Sequence, residues 1–431
     1  MCRYRTGFRF GEGKALAVVR PGTVSEQWKA LEACIAASVI VITQASNTGL
    51  TDGSTPDGNN YDRDIVIVST SRMKKVYVIE QGKQVICLPG ATLDQLEHVL
   101  KPLGRERHSV IGFSRIGASV FGGVCNNSGG ARLQLGPAYT QMAVFTQVGA
   151  AGKLHLVNHL GIRLGDTPED VLRRLDRGEF PEADIQPDAG AESDRNYVTH
   201  VREIDTHTPA RFNADPRRLY ETSGSAGKLV VFAVRLDTFP IEQDAKVFYI
   251  GTNRPEELTD IRRHALHVFT HLPISGEYLH RDAFDIAEKH GKDTFLTIHY
   301  LDTSRLPASF ALKNRFDSFF DRLGFLPSNF TDRVMQAMSG LFPSHLPPLM
   351  KEYRNKYERH LLLKVPAEGA PETKAFLEGY FAKASGGHFE CSDEEGNKAF
   401  LHRFAAAGAA VRYGGTTRRT HCVLVCSVAH P

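Results

Sequence analysis

Apolar positions in the first hundred residues follow two rhythms. Val39-Ile40-Val41-Ile42 is a short unbroken apolar run, as in a buried strand, and Asp64 to Ser69, Val76 to Ile79 and Val85 to Leu88 predict three more strands. Thr23 followed three residues later by Glu26 is a capping box, and it opens a helix that the pattern carries to about Ala36. Leu93, Leu96, Leu100 and Leu103 line one face of a second helix, which Gly104 ends. No strand runs into a G-x-G-x-x-G that opens a helix, so a doubly wound dinucleotide fold is unsupported and the expectation is α+β.

Farther along, Gly178 to Asn196 is acidic and poor in apolar residues, which predicts an exposed excursion. A second region begins after Thr238-Phe239-Pro240, with a strand at Val247 to Ile250 and a helix from about Glu256 to Phe269 behind Pro255.

One stretch obeys neither rhythm. Gly112 to Gly136, GFSRIGASVFGGVCNNSGGARLQLG, places seven glycines among small and amide residues. Glycine is costly unless the backbone must turn to positive φ or something must approach it closely. Main-chain N–H groups bared in this way cradle anions, and the anion expected here is the pyrophosphate of a nucleotide cofactor. A second loop, Gln44 to Gly49 with Gly53 to Gly58 behind it, has the same make-up. Either loop alone reads equally well as a surface turn. Both, however, adjoin strongly apolar segments, Val39 to Ile42 before one and Met142 to Phe145 after the other, and such strand ends are where ligands sit. Two cradles point to one cofactor between them. A P-loop is excluded, because Gly224-Ser225-Ala226-Gly227-Lys228 has the wrong spacing and continues into Leu229.

Taken together, Gln44-Ala45-Ser46-Asn47-Thr48-Gly49-Leu50-Thr51, Ile116-Gly117-Ala118-Ser119, Gly122-Gly123-Val124-Cys125-Asn126-Asn127-Ser128-Gly129-Gly130 and Gly136-Pro137-Ala138-Tyr139-Thr140 resemble the quinone-dependent D-lactate dehydrogenases. These are respiratory flavoenzymes of the vanillyl-alcohol-oxidase type. The resemblance runs from about Arg3 to Tyr413 and takes in Ala210 to Pro216, His280-Arg281-Asp282 and Leu341 to Pro348. It implies an α+β fold: a two-subdomain FAD-binding domain of the PCMH type, an α+β cap, and a basic, partly helical membrane-contact region. The division expected is 1–237 for FAD, 238–303 for the first part of the cap, 304–364 for membrane contact, 365–413 for the return of the cap, and 414–431 as an aberrant tail.

The same resemblance implies FAD contacts at Ala45, Ser46, Asn47, Thr48, Gly49, Gly53 and Ser54 in the first loop, at Gly112, Ser119 and Gly129 in the second, and at Val231. Gln44 to Thr51 has no His or Cys to tether a flavin, so the FAD is expected to be non-covalent. The reaction implied is oxidation of D-lactate to pyruvate, with electrons passed to a membrane quinone. Another 2-hydroxy acid is the alternative substrate. His280 and Arg281 are candidates for proton handling and for holding the substrate carboxylate, although Asp282 beside them also reads as a helix cap. No catalytic base is assigned, and no metal is expected.

Composition narrows the partners. A formal net charge of +3 over 431 residues argues against nucleic acid as a partner. Seven scattered cysteines without a C-x-x-C point to a reducing compartment, and Cys125 reads as a small residue packed in a tight loop. Neither a signal peptide nor a spanning run is visible, and the cytoplasmic side of the membrane is expected. Between Ser304 and Lys364, ten Lys or Arg stand against five acids, interleaved with phenylalanines. That mixture suits peripheral contact with an anionic phospholipid surface, the reading the resemblance favours over a solvated helical face. Gly414 to Pro431 carries no period and no family motif, and it reads as a shifted frame or a misannotated end that impairs catalysis.

Overall fold

The computed structural model describes residues 2–7, 11–49, 53–108, 117–129, 132–149, 151–207, 215–292, 295 and 346–417. Two compact units emerge, one built from 1–130, 135–198 and 211–241, the other from 131–134, 199–210 and 242–431. The first unit runs on to 241, past the division expected at 237. The cause is a strand that continues to Pro240 and pairs there with Arg105. Residues 131–134 and 199–210, expected in the FAD domain, are counted in the second unit; Leu133 N donates to Ile274 O at 2.8 Å.

In the first unit, β1 (Ala17–Val19), β2 (Ile40–Gln44) and β3 (Ile65–Ser69) form a parallel sheet of order β1-β3-β2. The central strand is buried throughout, whereas β2 is only half-buried until Gln44. The expectation of a buried strand at Val39 to Ile42 is corrected on that point, because an edge strand has a neighbour on one side only. Helix α1 (Val24–Ala36) starts as its capping box predicts: Thr23 Oγ1 accepts from Glu26 N at 3.0 Å. In return Glu26 Oε2 accepts from Gly22 N at 2.6 Å.

The second sheet of this unit is antiparallel. Strands β4 (Val76–Ile79), β5 (Gln84–Cys87), β6 (Arg105–Arg107), β7 (Ala143–Val148), β8 (Leu154–Asn158) and β9 (Val230–Pro240) run in the order β4-β5-β9-β7-β8, with β6 on the end of β9. Successive side chains on a strand point to opposite faces. One face, with Val85, Cys87, Phe145 and Val234, meets α2 (Leu93–Leu100) and α3 (Val120–Cys125); the other, with Ile86, Val144 and Phe232, meets α1 and α4 (Pro168–Arg177). Helix α1 also turns Cys34 to the small sheet, so one helix closes two cores.

Two local expectations fail for stated reasons. Leu103 is 47% exposed, because Pro102 in a tighter 3-10 turn ends the helical period after Leu100. The acidic stretch 178–196 is not wholly exposed: Glu192 is 4% exposed and faces Arg235 at 3.6 Å and Arg195 at 2.7 Å. Asp194 accepts from the buried Arg218 at 2.9 Å. Composition showed the acids but not the distant arginines that receive them.

The second unit contains β10 (Lys246–Thr252), α5 (Pro255–His267), β11 (Ser275–His280), α6 (Arg281–His290), α7 (Pro348–Lys356), β12 (Arg359–Val365), α8 (Ala370–Phe381), β13 (Gly387–Cys391) and α9 (Asp393–Thr417). Its antiparallel sheet has the order β11-β12-β10-β13. Tyr249, Leu279, Phe284, Leu362 and Ala406 share its core, and His264 stacks on Phe376 at 3.9 Å between α5 and α8. Strand β12 is an inner strand, so the expected membrane-contact region 304–364 overruns into the sheet. Residues 304–345 lie outside the described part. Helix α9 passes through the expected break at 413 and 414 as far as Thr417.

Candidate cofactor-binding site

The first loop leaves the C-terminal end of β2. Its turn is set by side chains within it: Gln44 Nε2 donates to Ser54 O at 2.6 Å, and Ser54 Oγ donates to Asn47 Oδ1 at 2.8 Å. Asn47 holds φ 53° and Gly53 φ 91°, left-handed backbone that curls successive N–H groups toward one side. Among the described residues, the N–H groups of Ser46, Asn47, Thr48 and Gly49 donate to no protein acceptor. A Cβ on Gly53 would meet nothing within 4 Å. A row of unused donors beside open space is what a phosphate needs.

The second loop is held from two directions. Ser119 caps α3, its Oγ accepting from Gly122 N at 3.0 Å, and a Cβ on Gly122 would stand 2.8 Å from that oxygen. At the other end of α3, Gly224 N donates to Val124 O at 3.0 Å and Ala226 N to Cys125 O at 2.9 Å. Asn127, Glu221 and Ala226 hold φ of 44°, 46° and 49°, left-handed positions that non-glycine residues take only where surroundings impose them. The turn at 219–228, which contains the Gly224 to Lys228 stretch excluded as a P-loop, is thus a clamp on the glycine loop. Thr222 adds a buried hydroxyl that has no partner among the described residues. Sequence reasoning missed it, because its signal is the clustering of strain and burial in space.

What joins the two loops is a short relay of main chain. Thr70 N donates to Gln44 O at 2.8 Å at the root of the first loop, and Thr70 Oγ1 donates to Pro89 O at 3.1 Å. Val120 N then donates to Ala91 O at 3.0 Å, and Leu93 N to Ala118 O at 2.9 Å, at the root of the second. The structure thereby links the segment bearing Ala45, Ser46, Asn47, Thr48, Gly49, Gly53 and Ser54 with Ser119 and the loop that runs to Gly129. Val231 lies on β9 opposite Phe145, next to a bulge, with its side chain buried. Gly112 lies outside the described residues.

The remaining candidates do other work. Burial pushes the Cys125 thiol up to about 11, with the Ser225 hydroxyl pulling the other way, so it is a packed thiol. His280, rather than Asp282, caps α6: its Nδ1 accepts from Asp282 N at 3.2 Å. Arg281 N donates to Glu358 O at 2.7 Å, and its guanidinium lies 3.4 Å from the Glu358 carboxylate. Both are engaged where β11 meets α6.

The first loop fits the phosphates of a dinucleotide, with bare N–H groups, small residues and open space beside Gly53. Comparison with known families agrees. A family described as FAD binding domain matches residues 15–157, and one described as D-lactate dehydrogenase, membrane binding, matches residues 247–429. The quinone-dependent D-lactate dehydrogenase of Escherichia coli strain K12 is 59% identical over 411 residues, covering 95% of this chain and 72% of that protein. Its counterpart from Haemophilus influenzae is 56% identical over 411 residues, covering 95% and 73%. Among solved structures, p-cresol methylhydroxylase with substrate bound superposes with a TM-score of 0.52 at 12% identity, over 94% of this chain and 66% of that one, a likeness of fold alone. That likeness agrees with the α+β fold expected, and the chain, 59% and 56% identical to these relatives, belongs to the family of quinone-dependent D-lactate dehydrogenases.

Proposed function

We propose that this protein oxidises D-lactate to pyruvate with FAD and passes the electrons to quinone at a membrane. The observation that carries the reading is the first loop, whose free N–H groups lie in a chain 59% identical to an enzyme named for that reaction. FAD supplies a two-electron acceptor for the substrate carbon. The chain's own residues do the holding. Ser46 to Gly49 present donors to the phosphates, Gly53 leaves room, Ser119 fixes the second cradle, and Thr222 offers a buried hydroxyl behind it. Ala45, Ser54, Gly112, Gly129 and Val231 complete the proposed contact set. No histidine or cysteine lies in Gln44 to Thr51, so the flavin is held non-covalently.

The membrane is met peripherally, on an anionic phospholipid surface at the cytoplasmic face. Among the described residues no helix is long and apolar enough to cross a membrane. The excess of basic residues over acids between 304 and 364 supplies the attraction.

The test is a titration of the FAD-loaded protein with D-lactate and, separately, L-lactate, without oxygen. D-lactate should bleach the flavin absorbance, and a quinone analogue should restore it. A loaded protein that neither substrate bleaches overturns the proposed reaction.

A further inference from the structure

The strip Tyr4 to Thr6 is stitched to the first loop by the loop's own side chains. Gln44 Nε2 donates to Tyr4 O at 2.9 Å, and Asn47 Nδ2 donates to Thr6 O at 2.9 Å. Arg5 stands between those two anchors, and its own main-chain oxygen accepts from Gly13 N at 3.3 Å. Its guanidinium has a different status. The side chain is half-buried, Nε is cut off from solvent, and among the described residues the guanidinium has neither a hydrogen bond nor an ion pair.

That is unusual within this unit. Arg218 meets Asp194 and Asp215, Arg235 meets Glu80 and Glu192, and Arg174 meets Asp184. The acid nearest in the local pairing, Glu12, faces Thr6 across an isolated bridge, is exposed, and makes no ion pair among the described residues. Two further cations, Arg3 and Arg20, stand over the neighbouring Tyr4 ring at 4.8 and 5.9 Å.

A partly buried cation without a counter-charge is expensive unless an anion completes it. We propose that Arg5 is a clamp for the pyrophosphate of FAD at the first loop. The guanidinium is a planar fork whose two N–H groups match two phosphate oxygens, and a lysine offers only a point charge. The strip carries the clamp at fixed reach, since Gln44 and Asn47 hold its main chain on both sides of Arg5.

This inference rests on the FAD reading, and the experiment separates the two. The full chain and its Arg5→Met and Arg5→Lys variants are stripped of flavin. Each is titrated with FAD and riboflavin, followed by flavin fluorescence, and with ADP, followed by calorimetry. Losing a charged hydrogen-bond donor of this kind costs about tenfold to a hundredfold in affinity. Arg5→Met should weaken FAD and ADP by that factor and leave riboflavin unchanged, and Arg5→Lys should recover part of the loss. Thermal unfolding of the flavin-free variants should match that of the parent, because the Arg5 guanidinium has no protein partner among the described residues. Equal affinity of parent and Arg5→Met for FAD and ADP overturns the clamp. So does a parallel loss for riboflavin, which would mean that Arg5 acts by shaping the loop. A parent chain that takes up no FAD overturns the cofactor reading itself.

Discussion

Gly90 lies so close to Thr70 that a Cβ on it would stand 2.2 Å from the Thr70 carbonyl oxygen. The closeness is functional in its position: Thr70 joins the root of the first loop to Pro89, and Ala91 joins onward to Val120. Gly90→Ala must push main chain against main chain, which costs about 1–3 kcal/mol. Its unfolding midpoint should fall, and its affinity for FAD should fall with it, because the two cradles separate. A variant less stable but with unchanged FAD affinity would show that the relay does not set the distance between loops.

Arg218 is 1% exposed and contacts both Asp215 and Asp194. Burial alone would raise the Asp215 carboxyl; hydrogen bonds from Arg217 and the charges of Arg218 and Arg217 outweigh it and hold it below the usual range. Arg218→Met strands buried carboxylate and should destabilise the protein by about 3–5 kcal/mol. Adding Asp215→Asn should recover part of that, since the two residues share one network. Chemical denaturation of the single and double variants reads the coupling, and strictly additive losses would refute it.

Acid should weaken the fold before carboxylates titrate. His108 and His360 are buried, and burial is the first cause that lowers each to about 4; Arg107 adds to it at His108. A histidine whose folded pKa lies below its unfolded value binds more protons when unfolded. Its contribution is therefore complete above about pH 6.5 and is lost as pH falls toward 4, at up to about 1.4 kcal/mol per pH unit for each group. Replacing His360 with Phe should flatten that slope in denaturant unfolding, whatever it does to stability at neutral pH. A slope unchanged between pH 6.5 and 4 would assign the acid sensitivity elsewhere.

Some of the basic residues expected at the membrane are already engaged. Arg354 grips the Asp285 carboxylate, Lys351 lies 3.8 Å from Glu288, and the Lys356 ammonium lies 5.1 Å over the Tyr357 ring. The proposed attraction therefore rests more heavily on the other basic residues of 304–364, Arg315, Arg322 and Arg333 among them. Reversing Arg315, Arg322 and Arg333 to Glu should weaken binding to phosphatidylglycerol vesicles by about fivefold or more per site, from about 1 kcal/mol each. Arg354→Glu should lower stability more than vesicle affinity. Equal binding of the triple variant and the parent, or equal binding to neutral vesicles, would remove the electrostatic basis.

Much of this protein is written in patterns a few residues long. The capping box at Thr23 and Glu26, the strand at 65–69, the helix through Leu100 and the two glycine loops all follow from local rules: helical period, strand period, and the freedom of glycine at positive φ. Those rules also carried the family motifs, and with them the cofactor. What the chain does with charge and distance is not local. Glu192 finds Arg235, Thr70 bonds Pro89, the 219–228 turn clamps α3, and Gln44 and Asn47 reach back about forty residues to hold the strip that bears Arg5. Exposure behaved the same way: Val39 to Ile42 read as buried until the sheet order made β2 an edge. Periodicity tells a residue which way its side chain faces, but only the folded chain decides what stands opposite it, and burial, pairing and reach are properties of that opposite partner.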